Sequence, residues 1–226
     1  MAASDLRSRK SGWQRYFLYR KESLRTTWIL RVSLVLFVVL LVWATRTFWT
    51  MKLGQSLVCQ EQIAPSDALL VENFDPEYVV FERAAALQRK GVGDKVFVPV
   101  VAADSEMPNT ISEGLAELMA RVARLTNMQI IPIVETEPIS LNSANQIRDF
   151  LIKERVKSVI VVTPGFRSRR SLLVYNTVFS PSNIAVGCVP VFGLRTTNNW
   201  TTTWHGLEDV ALQFSKLQYY RFWVLR

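Results

Sequence analysis

One uncharged apolar stretch constrains this chain more than any other feature. It lies within Thr27 to Trp49, and its centre, Val32 to Ala44 (VSLVLFVVLLVWA), carries no charged residue. With Trp28, Ile29 and Leu30 in front, it approaches the ~20 residues that span a bilayer as a helix. Arg31 and Arg46 stand near the two ends, where long basic side chains can reach the interface. Trp28, Trp43, Phe48 and Trp49 are of the aromatic types that anchor at such boundaries. The pattern predicts one transmembrane helix over residues 27–49, with a membrane as the chain's first partner.

The charge is distributed unevenly. Arg7, Arg9, Lys10, Arg15, Arg20, Lys21 and Arg25 outnumber Asp5 and Glu22 in residues 1–26, a local excess of +5 within a chain of net +8. Arg31 and Arg46 add two more, so the remainder is nearly neutral. A basic chain raises nucleic acid as a partner. Here the excess sits in the tail, where topology explains it, so no nucleic acid is expected. Basic residues before a span place the N-terminus in the cytoplasm and the rest of the chain outside. A cleaved signal peptide is the competing reading. The long polar lead and the lack of a clear small-x-small site after the apolar run argue against it.

Residues 50–66 read as a short stalk, and residues 67–226 as one domain. Two cysteines occur, Cys59 and Cys188, together with one histidine, His205. That composition offers no metal-ligand spacing. The two thiols either stay unpaired or form one disulfide tying the stalk to the domain, which an oxidising compartment permits.

Within the domain, two hydrophobic periods alternate. Short apolar runs predict strands at Ala68–Val71, Lys95–Val98, Gln129–Ile133, Ser158–Val162 and Ile184–Val189. Helical spacing between them predicts helices over 78–90, 111–125, 142–154, 169–179 and 204–220. In the second of these Leu115, Leu118, Met119, Val122 and Leu125 are expected to face inward. In the last, Leu207, Val210, Ala211, Phe214 and Leu217 are. Gly91 is placed to end the first helix. Near-continuous apolar strands alternating with helices argue for an α/β fold with a five-stranded, mainly parallel sheet covered on both faces.

Such sheets bind ligands beyond the carboxyl ends of their strands. Glu72, Asn73 and Asp75 follow the first strand. Asp104, Ser105, Glu106, Asn109 and Glu113 follow the second. Glu135, Glu137, Ser140, Asn142 and Ser143 follow the third. The sharpest signal follows the fourth, Thr163-Pro164-Gly165-Phe166-Arg167-Ser168-Arg169-Arg170. Three arginines at a helix start oppose the positive end of its dipole. A bound phosphate or carboxylate accounts for them; so do internal pairs with Glu113, Glu135 or Glu137. Glu113 also fits a capping box with Thr110, and Ser140 or Asn142 fits a helix N-cap. The chain contains no dinucleotide fingerprint, P-loop or Ser-His-Asp set.

Several ordered pieces, SDALLV at 66–71, ERAAALQRKG at 82–91, SEGLAEL at 112–118, ETEPISLNSANQI at 135–147 and VIVVTPGFRSRRS at 159–171, resemble the YdcF-like, SanA/ElyC-type envelope proteins. Trp200, Trp204, Gly206, Val210, Lys216, Tyr219 and Tyr220 match a terminal piece. The resemblance implies a Rossmann-like three-layer domain after one membrane anchor, working in envelope polysaccharide assembly. It places ligand-binding positions at Arg83, Ser140, Asn142, Ser143, Thr163 and Arg170. It also marks Glu113 and Glu137 as polar site positions, here taken as acid/base candidates. Arg167 stands where the family often has histidine. Glu72-Asn73-Phe74 and Pro99-Val100-Val101 replace glycine-rich turns. Gln146 replaces an asparagine and Gln213 an acid. Members of the wider family are reported to bind S-adenosylmethionine, and their general reaction is unsettled, so the resemblance names no cofactor.

Three roles follow. One is an enzyme acting on a phosphorylated or lipid-linked glycan, with Arg167 and Arg170 on phosphate and Glu113 or Glu137 as acid/base. Another is a non-catalytic subunit of a polysaccharide assembly machine with membrane-protein partners. The last is a nucleotide or S-adenosylmethionine binder, disfavoured by the missing glycine turns and by an external location.

Overall fold

The computed structural model describes residues 28–61, 64–75, 77–102 and 110–225. The basic tail and the residues Asp104, Ser105, Glu106 and Asn109 fall outside it, as does the side chain of Thr110 expected to cap a helix. The chain divides into two compact units, with the boundary after Arg46.

The first unit holds α1, Trp28–Ala44, whose residues are all unburied. The expected single helix over 27–49 is instead two helices. α1 ends at Thr45, whose hydroxyl donates to the Leu41 carbonyl at 2.7 Å. Such back-bonding competes with the backbone ladder and bends helices. α2, Arg46–Ser56, follows at once, so much of the expected stalk is helical. Neither helix alone is long and apolar enough to cross a membrane; the pair together has the length and composition.

The second unit is built on β1 (Ala68–Val71), β2 (Lys95–Val101), β3 (Met128–Ile133), β4 (Ser158–Pro164) and β5 (Ala185–Val191). They form one sheet in the order β3-β2-β1-β4-β5. Every pair is parallel, with Ala68 opposite both Lys95 and Val159. The connecting helices are α3 (Tyr78–Arg89), α4 (Thr110–Ala123), α5 (Ile139–Lys153) and α6 (Ser168–Phe179), and α7 (Trp204–Tyr219) closes the fold. Gly91, at φ 72°, turns the chain out of α3, a conformation glycine adopts without Cβ cost.

Side-chain alternation along β1 divides the core. Leu69 and Val71 face α3 and α4 in one cluster, while Ala68 and Leu70 join α5 and α6 in another. The result is a three-layer, Rossmann-like α/β domain with both sheet faces covered, as parallel sheets require. A third cluster joins Leu57, Phe166, Trp200, Val210 and Leu217 under α7. Cys59 and Cys188 form a disulfide, tying the segment after α2 to β5.

In two helices the inward face overlaps the expected one only in part: Met119 and Leu125 pack on the core as expected, as do Val210 and Leu217. In α4, Ala116, Ala120 and Ala123 are buried, while Ile111, Leu115, Leu118 and Val122 are exposed. In α7, Gly206, Val210, Gln213 and Leu217 face inward, while Leu207, Ala211 and Phe214 are exposed. Gly206 shows why. A Cβ there would stand 2.1 Å from the Trp200 carbonyl oxygen, so only glycine lets α7 approach its neighbour this closely.

Candidate functional site

Strand order reverses between β1 and β4, so the loops that follow them diverge. This is where open α/β sheets bind ligands. Here Glu72, 4% exposed, occupies the crevice. Thr163 Oγ1 donates to Glu72 Oε2, and Ser171 Oγ donates to the same oxygen at 2.8 Å. The Tyr175 phenol also bonds this carboxylate. Burial first, and the Glu72 charge second, hold the Tyr175 pKa well above its ordinary value. Three hydroxyls thus replace the water that Glu72 loses, which a buried carboxylate needs. They also fasten α6 to the end of β1.

The arginines stand beside this anchor. Arg167 closes a short 3-10 turn, Gly165–Arg167, ahead of α6. Its guanidinium pairs with Asp75 Oδ2, so its acid partner comes from the β1 loop rather than from Glu113, Glu135 or Glu137. Arg170 lies in the first turn of α6 and is 8% exposed. It donates to Ser140 Oγ at 2.7 Å and to Gln213 Oε1 at 3.3 Å. Its guanidinium carbon sits 5.6 Å from the centre of the Tyr220 ring, within cation–π range. Tyr220 in turn accepts the Ser140 N–H at 3.0 Å. Among the described residues, no carboxylate lies within ion-pair distance of Arg170.

Burial, then the neighbouring Arg167, push the Arg170 pKa below its usual value. Lys216 is pushed down too, by burial first and then by Arg170 and Arg167. Glu72 acts on Arg170 in the opposite sense, as Asp209 and Glu137 do on Lys216. Nε of both arginines, Ser143 Oγ and Asn73 Oδ1 are buried and make no hydrogen bond among the described residues.

The start of α6 is held from outside. Arg169 N–H donates to the Leu57 carbonyl at 3.0 Å. Cys59 N–H donates to Ser168 Oγ at 2.9 Å. The protein's own strap after α2 therefore takes part of the helix terminus that was expected to face an anion. The guanidiniums, more than free backbone N–H groups, supply the attraction.

The remaining predicted residues are spread out. Ser143 is buried one turn beyond Ser140 on α5. Arg83 pairs with Glu61 at 2.6 Å. Asn142 braces its own loop, donating to the Thr136 and Glu137 carbonyls at 3.1 and 2.9 Å. Glu137 is exposed, and Glu113 is half-buried in the first turn of α4. The structure thus brings together Ser140, Thr163, Arg167 and Arg170, with Ser143 near them; among the described residues Glu113, Glu137, Arg83 and Asn142 make no side-chain hydrogen bond or ion pair with them. A groove of about 460 Å³ opens at the other end of the sheet, lined by Asp67, Lys95 and Glu154 among others. Three of its charged groups are engaged: Asp67 accepts the Lys157 and Ser158 N–H groups, and Lys95 pairs with Glu154. No metal-holding group of His, Cys, Asp and Glu exists among the described residues.

Sequence reasoning had placed Glu72 at this end of the sheet but not as the buried hub. It overlooked Ser171 and Tyr175 altogether. Their i, i+4 spacing puts them on one face of α6, but the carboxylate they serve lies 99 residues from Ser171 along the chain. No family model matches the chain, and no curated protein matches it. The geometry places two buried guanidiniums near one another, groups suited to charge-assisted hydrogen bonds with an anion.

Proposed function

We propose that this chain is a membrane-anchored, extracytoplasmic protein of bacterial envelope polysaccharide biogenesis, related to the YdcF-like proteins, that binds a phosphorylated or lipid-linked glycan intermediate. The observation that carries the anion reading is Arg170: a buried guanidinium, held by neutral groups and next to a second guanidinium. Glu72 acts on it only at a distance; a buried cation with no carboxylate in direct contact is costly, and a phosphate would relieve that cost with charge-assisted hydrogen bonds. The apolar run and basic tail support the anchor, and the disulfide supports an oxidising compartment.

The non-catalytic reading has its own support. Glu72, the carboxylate at the crevice, is buried and accepts two hydroxyl hydrogen bonds on Oε2, and Glu137 is exposed. Binding without turnover fits this arrangement better than acid/base work. The filled crevice also argues against a nucleotide or S-adenosylmethionine there.

The test is calorimetric titration of the full chain in detergent with a short polyprenyl phosphate. Arg170→Lys, which loses the planar fork, is expected to weaken binding about tenfold, on the scale of one charged hydrogen bond, with melting unchanged. No binding by the wild type, or equal binding by both, rejects the reading.

A further inference from the structure

We propose that the outward face of α7 and the turn after it rest on the lipid surface, so that the anion pocket beneath this helix takes its phosphate from lipid rather than from solution. The proposal rests on the reading that the apolar run anchors the chain in a membrane.

The outward face is continuous and of interfacial type. Trp204, Leu207, Ala211 and Phe214 recur at i, i+3, i+7 and i+10, one stripe of the helix, and all are exposed. Trp204 is 74% exposed. Beyond α7, the turn Tyr220–Val224 exposes Phe222 and, at 79%, Trp223. Large aromatic rings of this kind concentrate at membrane interfaces. Arg221 is exposed, its guanidinium carbon 5.8 Å from the centre of the Phe222 ring, the charge that anionic headgroups attract.

Chain continuity selects lipid over another protein. Trp200, just ahead of α7, donates its indole N–H to the Thr50 carbonyl at 3.2 Å. Gly54 packs on the same indole: a Cβ there would meet Trp200 Nε1 at 3.0 Å. The start of α7 is therefore fastened to α2, the helix that continues directly from the apolar run. Only five residues, 45–49, lie between the last residue of α1 and Thr50, so a short length of chain ties the start of α7 to the apolar run. The inward face of the same helix carries Gln213, and the turn that follows carries Tyr220, both on Arg170. One helix thus separates lipid from the cationic pocket.

The experiment places a benzophenone amino acid at Trp204, Trp223 or Arg155 of the full chain, in liposomes of phosphatidylethanolamine and phosphatidylglycerol carrying radiolabelled lipid. Arg155 is the control, exposed at the opposite end of the sheet. Lipid adducts at positions 204 and 223, at least fivefold above position 155, are expected. Equal labelling at all three, adducts to protein alone, or no adduct at 204 and 223 overturns the proposal. Alkaline extraction separates the two readings. A chain that stays in the bilayer yet fails to label loses only the docking surface. A chain that is extracted loses the anchor and this proposal with it.

Discussion

Glu72 carries more of this molecule than any other single residue. The resemblance expects a glycine turn after the first strand, and the chain instead puts a carboxylate there and buries it. Such a group is tolerable only with its hydrogen bonds made, and Thr163, Ser171 and Tyr175 make them. The network therefore predicts a coupled response. Thr163→Val removes one donor and leaves a buried acceptor short, a loss of about 1–3 kcal/mol. In a Glu72→Gln background the same substitution costs clearly less, because a neutral amide demands less of its donors. Denaturant unfolding of the four proteins in this cycle measures the difference directly. Equal costs in both backgrounds would show that Thr163 does not act through Glu72.

At the scale of elements, the fold was legible because the strands are nearly pure apolar runs and the helices between them have a clear period. β1 lies where Ala68–Val71 predicted it, and the other strands differ only at their ends. The pocket was half legible. Arg167, Arg170, Ser140 and Thr163 announce themselves by their position after strands, but Ser171, Tyr175 and Gln213 become meaningful only once α6 and α7 are packed. Helix facing was the real failure. Periodicity finds an apolar stripe but cannot rank two of them, and close packing selected alanine against the sheet cluster in α4 and glycine against Trp200 in α7. α4 offers a test of that physics. Ala120 is 4% exposed and Leu118 is 53% exposed. Ala120→Leu overpacks the interface and is expected to cost about 1–3 kcal/mol. Leu118→Gln, on the outward stripe, is expected to change stability by less than about 0.5 kcal/mol. Thermal melting of both variants decides it, and the reverse ranking would return the expected stripe to the core.

At the scale of the whole molecule, two separate features bear on the proposed placement of the domain outside a membrane. One is the excess of basic residues before the apolar run. The other is the pairing of Cys59 with Cys188 across 129 residues, a link that persists in oxidising compartments and is rare in reducing ones. Closing so long a loop restricts the unfolded chain, and its removal by Cys59→Ala with Cys188→Ala is expected to cost about 2–4 kcal/mol. The same change frees the strap whose Leu57 carbonyl and Cys59 N–H hold the start of α6, so phosphate affinity should fall along with stability. The two features must agree if the orientation is right. A reporter active only in the cytoplasm, fused after Arg226, is expected to be silent. Maleimide is expected to leave the chain unlabelled in denaturant until a reductant is added. An active reporter together with two reactive thiols would reverse the orientation. A silent reporter with reactive thiols would keep the orientation and remove the covalent tie, leaving the Leu57 and Ser168 hydrogen bonds to hold the arginine loop alone.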